Sequence, residues 1–159
     1  MATDALDGFD WRILAALQDD ARMSNIALAE RVLLSPSQCA RRLQRLEEAG
    51  VIRGYAALLD PDRIGLSVAA YISITLEKHG AFTAEAFREA VQRHPEIVEC
   101  CAVTGDADYE LRVVAPDLKE LSRFIMDSLM RIDGVSAIRS RIVLDTLKDS
   151  KRLPLRPAT

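Results

Sequence analysis

Up to residue 50 the apolar residues of the chain keep one period, and beyond it a second period joins the first, which limits the chain to two kinds of unit in a fixed order. Ahead of Gly50 apolar side chains recur every three or four residues, the spacing of one helix face. Behind it come stretches, such as residues 68–76, in which they alternate with polar ones, the spacing of a strand. A helical unit is therefore followed by a unit built on a sheet. With 159 residues, 49% of them apolar, there is material for two small cores.

Residues 6–18 set Ile13, Leu14 and Leu17 on one helical face behind Asp7 as N-cap, with Asp10 in the first turn where a carboxylate suits the helix dipole. A second helix starts after Ser24, carries Ile26, Leu28, Ala29 and Val32, and breaks at Leu33 and Leu34. A third spans residues 36–49. Ser35 is its N-cap, Pro36 its first helical position, Gln38 its capping-box partner and Gly50 its stop.

Within the third helix Gln38, Arg41, Arg42 and Arg45 fall on one stripe, while Cys39, Leu43 and Leu46 form another about 110° around the axis. No acid occurs before Glu47, although the chain as a whole carries a net charge of -3. Any polyanion contact must then be a local patch. Alone, such a stripe also fits a solvated surface helix. Preceded by a capped short helix and a tight turn, it has the helix-turn-helix layout, whose second helix enters the major groove of double-stranded DNA. Ser35, Pro36, Ser37 and Gln38 are then candidate DNA contacts at a helix N-terminus, where free N–H groups favour phosphate. Arg41, Arg42 and Arg45 are candidates for phosphate or guanine. Arg42, nearer the packed side, equally suits a carboxylate of its own domain.

Residues 51–59 suit an extended hairpin or connecting strand closed by Asp60 and Pro61. Beyond them the pattern predicts a strand over 68–76 and a helix capped by Thr83 that carries Phe87, Ala90 and Val91 up to Pro95. Strands over 97–103 and 109–115 follow, joined by the turn 104–108. Pro116 and Asp117 open a helix with Leu118, Leu121, Phe124, Ile125 and Leu129 on one side, and Gly134 precedes a last strand over 135–147. The order βαββαβ folds as a four-stranded antiparallel sheet with both helices on one face, the ferredoxin-like arrangement. The expected class is α+β: a helix-turn-helix unit over 1–60, the βαββαβ domain over 61–148 and a tail over 149–159. In the tail, Lys148, Lys151, Arg152 and Arg156 with Pro154 and Pro157 read as a solvated basic end. The other sheet face, with Ala69, Tyr71 and Ser73, is expected to be broad, moderately apolar and an interface between copies of the chain.

Other functions find little support. His79 and His94 lie in different segments without ligands at metal spacing, and no P-loop, Rossmann glycine pattern, nucleophile elbow or zinc motif occurs, so neither catalysis nor a metal or cofactor is expected. Cys100 and Cys101 point to opposite strand faces, with one expected to be buried; three cysteines make no disulfide framework. The strand over 109–115 lacks the stacking aromatics of an RNA-binding sheet. An amino-acid sensor resembling the ACT type, controlling an enzyme instead of DNA, is the remaining alternative. No apolar run approaches the roughly 20 residues of a membrane span, and the first residues lack the basic and apolar regions of an export signal. The expected location is the cytoplasm.

The motifs together resemble a known family. Leu6-Asp7 with Asp10, Ile13-Leu14, Leu17-Gln18, Asp20 and Arg22, then Leu34-Ser35-Pro36-Ser37, Cys39, Arg42, Arg45-Leu46-Glu47, Gly50 and Ile52, are similar to the Lrp/AsnC, or feast/famine, regulators. The likeness continues through Ala57-Leu58-Leu59-Asp60-Pro61, Glu99-Cys100, Gly105-Asp106, Asp108-Tyr109, Pro116-Asp117 and Gly134-Val135. The resemblance implies a transcription regulator whose helix-turn-helix over 1–60 is a winged helix-turn-helix, joined to a βαββαβ regulatory domain that dimerises and often forms octamers. It also implies control by small effectors, usually amino acids that bear on amino-acid metabolism genes, bound in clefts between subunits. On that basis Thr104, Gly105, Asp106, Asp108 and Tyr109 are candidate effector contacts. Carboxylates suit the effector's ammonium, and backbone N–H groups near Gly105 suit its carboxylate. One departure stands out: the family commonly has Gly in the helix-turn-helix turn where this chain has Leu33, and a left-handed leucine costs on the order of 1 kcal/mol.

Overall fold

Three helices form where the caps place them in the computed structural model, which describes residues 6–77 and 81–155, with the backbone alone at 81–83. His79, Arg156 and Pro157 lie outside the described residues. The chain divides into two compact units. One runs up to Leu58 and takes in residues 149–155; the other is Leu59–Lys148.

In the first unit, α1 (Gly8–Asp19) is capped by Asp7, whose Oδ1 accepts from the N–H groups of Phe9 and Asp10 at 2.9 and 3.0 Å. Ser24 caps α2 (Asn25–Val32), and Ser35 caps α3 (Pro36–Glu48). Their apolar faces meet in a core of Ile13, Ala16, Leu28, Ala29, Val32, Cys39 and Leu46, each at most 3% exposed. Ile26 points away from this core at 62% exposure, one residue off the buried stripe expected for it.

The turn between α2 and α3 is closed by Leu33 in the left-handed region, φ 59° and ψ 49°. Its N–H donates to Glu30 O at 3.3 Å and that of Leu34 to Ala29 O at 3.0 Å, the Schellman closure that glycine usually makes. Gly50, φ 68°, closes α3 in the same way: its N–H donates to Glu47 O at 2.9 Å and that of Val51 to Leu46 O at 3.0 Å. Residues 51–59, expected as a hairpin or connecting strand, join no sheet with other described residues. Tyr55 to Leu59 do not alternate apolar with polar, so nothing marks a face to bury.

The second unit holds β1 (Val68–Leu76), α4 (Ala81–Arg93), β2 (Ile97–Ala102), β3 (Tyr109–Ala115), α5 (Leu118–Asp127) and β4 (Val135–Ile142). Thr83 lies inside the first turn of α4 and not at its cap. The strands pair antiparallel in the order β2-β3-β1-β4, the ferredoxin-like topology. Ala70, Ile72 and Ile74 of β1, with Leu111, Val113 and Ala115 of β3, face a core closed by Phe87, Val91, Leu121, Phe124 and Leu129. Leu129 belongs to a 3-10 turn, and Leu118 is 56% exposed, so α5 buries less than its full apolar stripe.

Three expectations change here. The outer sheet face is charged, not apolar: the register sets Glu99 beside Arg112, Cys101 beside Glu110, and Tyr71 and Ser73 beside Arg141 and Arg139. Both vicinal cysteines are exposed because β2 is an edge strand, although burial still pushes the Cys100 thiol up. The last strand stops at Ile142, leaving Leu144 and Leu147 almost fully exposed.

Residues 149–155, expected as a solvated basic end, are exposed apart from half-buried Leu155 but are tied to α1. Leu153 N–H donates to Gln18 Oε1 at 2.6 Å, Gln18 Nε2 donates to Leu153 O at 3.1 Å, and Arg152 pairs with Asp19 at 2.8 Å. Leu153 and Leu155 line an apolar groove of about 480 Å³ with Trp11, Leu14 and Leu17 of α1. One glutamine thus holds a passing backbone through both of its polar groups, as a neighbouring strand would.

Candidate functional site

The start of α3 is built by local hydrogen bonds. Ser35 Oγ accepts from Gln38 N–H at 3.3 Å, and Gln38 Oε1 accepts from Ser35 N–H at 3.3 Å, so the two side chains form the reciprocal cap. Asn25 Nδ2 donates to Pro36 O at 3.0 Å and ties α2 to the first turn of α3. Ser37 is exposed, as are Pro36 and Gln38.

The three arginines of the stripe do different things. Arg41 is exposed and makes no ion pair among the described residues. Arg42 is drawn into its own unit, 2.8 Å from both the Asp7 and the Asp10 carboxylates. Hydrogen bonds to Asp10 and then to Asp7 push its guanidinium further up. Burial alone would raise the Asp7 carboxyl, but the Asp10 backbone N–H and the Arg42 guanidinium hold it below the ordinary value. Arg45 reaches the same Asp10 at 2.5 Å, with 55% of its side chain exposed. Asp10 itself, placed in the sequence by its helix position alone, is fully buried.

In the second unit the turn 104–108 borders a pocket of about 360 Å³ on the outer sheet face, lined by Ser73, Thr75, Thr104, Asp106, Glu110, Arg139 and Arg141, among others. Glu110 accepts from Ser73 Oγ at 2.8 Å and pairs with Arg141. Arg139 makes no ion pair among the described residues.

Of the five candidate effector residues, Thr104 and Asp106 line this pocket. Asp108 does not, because its Oδ2 accepts from Leu76 N–H at 2.7 Å and pins the turn to β1. Tyr109 points to the helix side and packs on Phe87, ring centroids 4.7 Å apart. Gly105 sits at φ 117° and shapes the turn without lining the pocket. The sequence reading missed Ser73, Thr75, Glu110, Arg139 and Arg141. Strand alternation marks each of them as outward, but only the β1–β3 and β1–β4 registers bring them together.

A helix-turn-helix with an arginine face, joined to a sheet domain bearing a charged pocket, defines a DNA-binding transcription regulator with a ligand-binding domain. Residues 6–53 match the family model for a winged helix-turn-helix DNA-binding domain, and residues 69–153 match that of the Lrp/AsnC ligand binding domain. The leucine-responsive regulatory protein of Escherichia coli is 40% identical over 151 residues, covering 95% of this chain and 92% of that protein. A transcriptional regulator of Neisseria meningitidis, solved as an L-methionine complex, is 41% identical with a TM-score of 0.91, covering 94% of this chain and 97% of that one. An AsnC family regulator from Agrobacterium tumefaciens is 36% identical with a TM-score of 0.88, over the same 94% and 97%. The chain belongs to the Lrp/AsnC family of transcriptional regulators.

Proposed function

We propose that this regulator answers to an amino acid held in the outer-face pocket, and that it controls genes of amino-acid metabolism by laying α3 in the major groove of operator DNA. The observation that carries the effector reading is the pairing of opposite charges across one small pocket: Arg139, with no ion pair among the described residues, and the exposed Asp106. An α-amino acid presents a carboxylate for the first and an ammonium for the second. The L-methionine bound to the Neisseria relative is a ligand of that class.

On the DNA side, Ser37 and Arg41 are the side chains least engaged within the unit, and Ser35, Pro36 and Gln38 frame the helix N-terminus. Arg45 reaches outward from Asp10, while Arg42 serves chiefly to hold the unit together. The protein works as a homodimer and as an octamer or other assembly of dimers. The outer face mixes Glu99 and Glu110 with Arg112, Arg139 and Arg141, so a second copy turned about a two-fold axis can bring unlike charges together. It acts in the cytoplasm without catalysis; no helix of the described residues is long and apolar enough to cross a membrane.

Calorimetry against the proteinogenic amino acids at millimolar concentration tests the effector reading. At least one binds the wild type, and Arg139→Ala and Asp106→Asn each weaken it at least ten-fold, on the order expected for one lost charged contact. Binding unchanged in both variants, or no binder at all, refutes it.

A further inference from the structure

Asp10 is the one charged side chain with no solvent exposure among the described residues. A buried carboxylate is tolerated only with partners on its oxygens. Oδ1 accepts from Arg42 Nη1 at 2.8 Å; Oδ2 accepts from Arg45 Nη2 at 2.5 Å and from the Asp7 N–H at 3.1 Å. Residues 42 and 45 lie about one turn apart on α3, so a single α1 carboxylate grips two successive arginines of the recognition helix.

The two arginines are not equivalent. Arg42 is 19% exposed, sits between two carboxylates and lies 5.5 Å from the Phe9 ring, so its charge is neutralised inside the unit. Arg45 is 55% exposed and gives one nitrogen to Asp10. The rest of its planar five-donor fork is directed away from that anchor.

The geometry points to Asp10 as a positioning residue for DNA recognition: its buried carboxylate fixes the Arg45 guanidinium in one orientation on the face of α3 that meets the duplex, with Arg42 as its counter-charge. This rests on the reading of α3 as the recognition helix. A free arginine samples many rotamers and meets any nearby phosphate. One held at a single nitrogen offers its other N–H groups along set directions, which selects among base-edge and phosphate geometries. Attraction to random duplex counts charge more than orientation. Asp10 therefore sets the ratio of specific to non-specific affinity.

The test compares a duplex selected by the wild-type protein from a random pool with a scrambled duplex of equal composition, across a salt series. Arg45→Ala and Asp10→Asn are each expected to lower affinity for the selected duplex about ten-fold, the scale of one oriented contact. Asp10→Asn leaves scrambled-duplex affinity unchanged or slightly raised. The double variant binds the selected duplex within about two-fold of Arg45→Ala alone, because both changes remove one device. Arg45→Lys keeps the charge and leaves Asp10 paired with Arg42, which guards against a folding defect. It loses the selected duplex about ten-fold with its salt slope intact, since the slope counts phosphates neutralised. Effects of Asp10→Asn and Arg45→Ala that simply multiply, an equal loss on both duplexes in Asp10→Asn, or full discrimination in Arg45→Lys each overturn the assignment. If Arg45→Ala and Arg41→Ala both bind the selected duplex normally, the placement of α3 fails instead.

Discussion

Replacing Leu46 by alanine separates the two units experimentally. Leu46 is 1% exposed, on the face of α3 that packs against α1 and α2, and it belongs to a core that shares no residue with the core under the sheet. Truncating a fully buried leucine costs about 3 kcal/mol, the lost transfer energy plus the cavity left behind. A unit of this size carries on the order of 3 to 9 kcal/mol of stability in all, so a third or more of it disappears. With a urea slope near 1 kcal/mol per molar, the midpoint of the first unit falls by about 3 M. The single tryptophan, Trp11, lies in α1 and reports this unit alone. Tryptophan fluorescence is expected to show the early transition, while the far-UV signal keeps a later one near the wild-type midpoint for the sheet. A single transition that moves in both signals together, or a fluorescence midpoint shifted by less than about 0.5 M, refutes the division into separately stabilised cores.

Three further outcomes follow from other residues. Arg41→Ala, removing an exposed guanidinium with no internal ion pair, lowers operator affinity by about 1 to 3 kcal/mol in a gel-shift titration; an unchanged affinity takes it out of the interface. Leu33→Gly relieves about 1 kcal/mol of left-handed strain, partly offset by the greater freedom of glycine in the unfolded chain, and little burial is lost because Leu33 is 80% exposed. Its melting temperature is therefore equal to or slightly above wild type, whereas Leu33→Ile, β-branched at the same φ, melts lower; the reverse order contradicts the strain argument. Burial, with the Glu47 carboxylate 2.9 Å away, pushes the Tyr55 phenol up from 10.0 to about 12. Since the neutral phenol is the form favoured by folding, this contribution is complete below pH 10 and is lost as the pH rises toward 12. Ultraviolet titration checks it: a tyrosine signal missing from Tyr55→Phe titrates near 12, and one near 10 refutes the placement beside Glu47.

Most of the fold was legible because its signals are local. Capping residues, the glycine after α3 and the period-two strands mark the elements within a few positions, and β1 and β3 match the alternation over Val68–Leu76 and Tyr109–Ala115. What the sequence hid depends on long-range pairing. Asp10 reads as a first-turn carboxylate until α3, more than thirty residues on, brings Arg42 and Arg45 to it. The pocket residues Ser73, Glu110 and Arg139 come from three strands, and a one-residue shift in any register would turn one of them to the core. The same alternation argues against Tyr109 in the pocket, since it lies one residue before outward-facing Glu110. The tail escaped because Gln18 and Leu153 stand 135 residues apart, and nothing local in either marks the other.

That clamp also sets an order in time. The three helices make short-range contacts and are available to fold before the sheet, whereas β1 must wait for both of its neighbours, β3 and β4. The first unit then gains Leu153 on Gln18 only when residues 149–155 arrive, after the whole of the second unit. A chain lacking residues 149–155 still contains the three helices of the first unit, yet that unit is left with an open groove along α1 and with Gln18 bonded to water in place of Leu153. The unit that is made first thereby takes its finished form only after the second unit has been made.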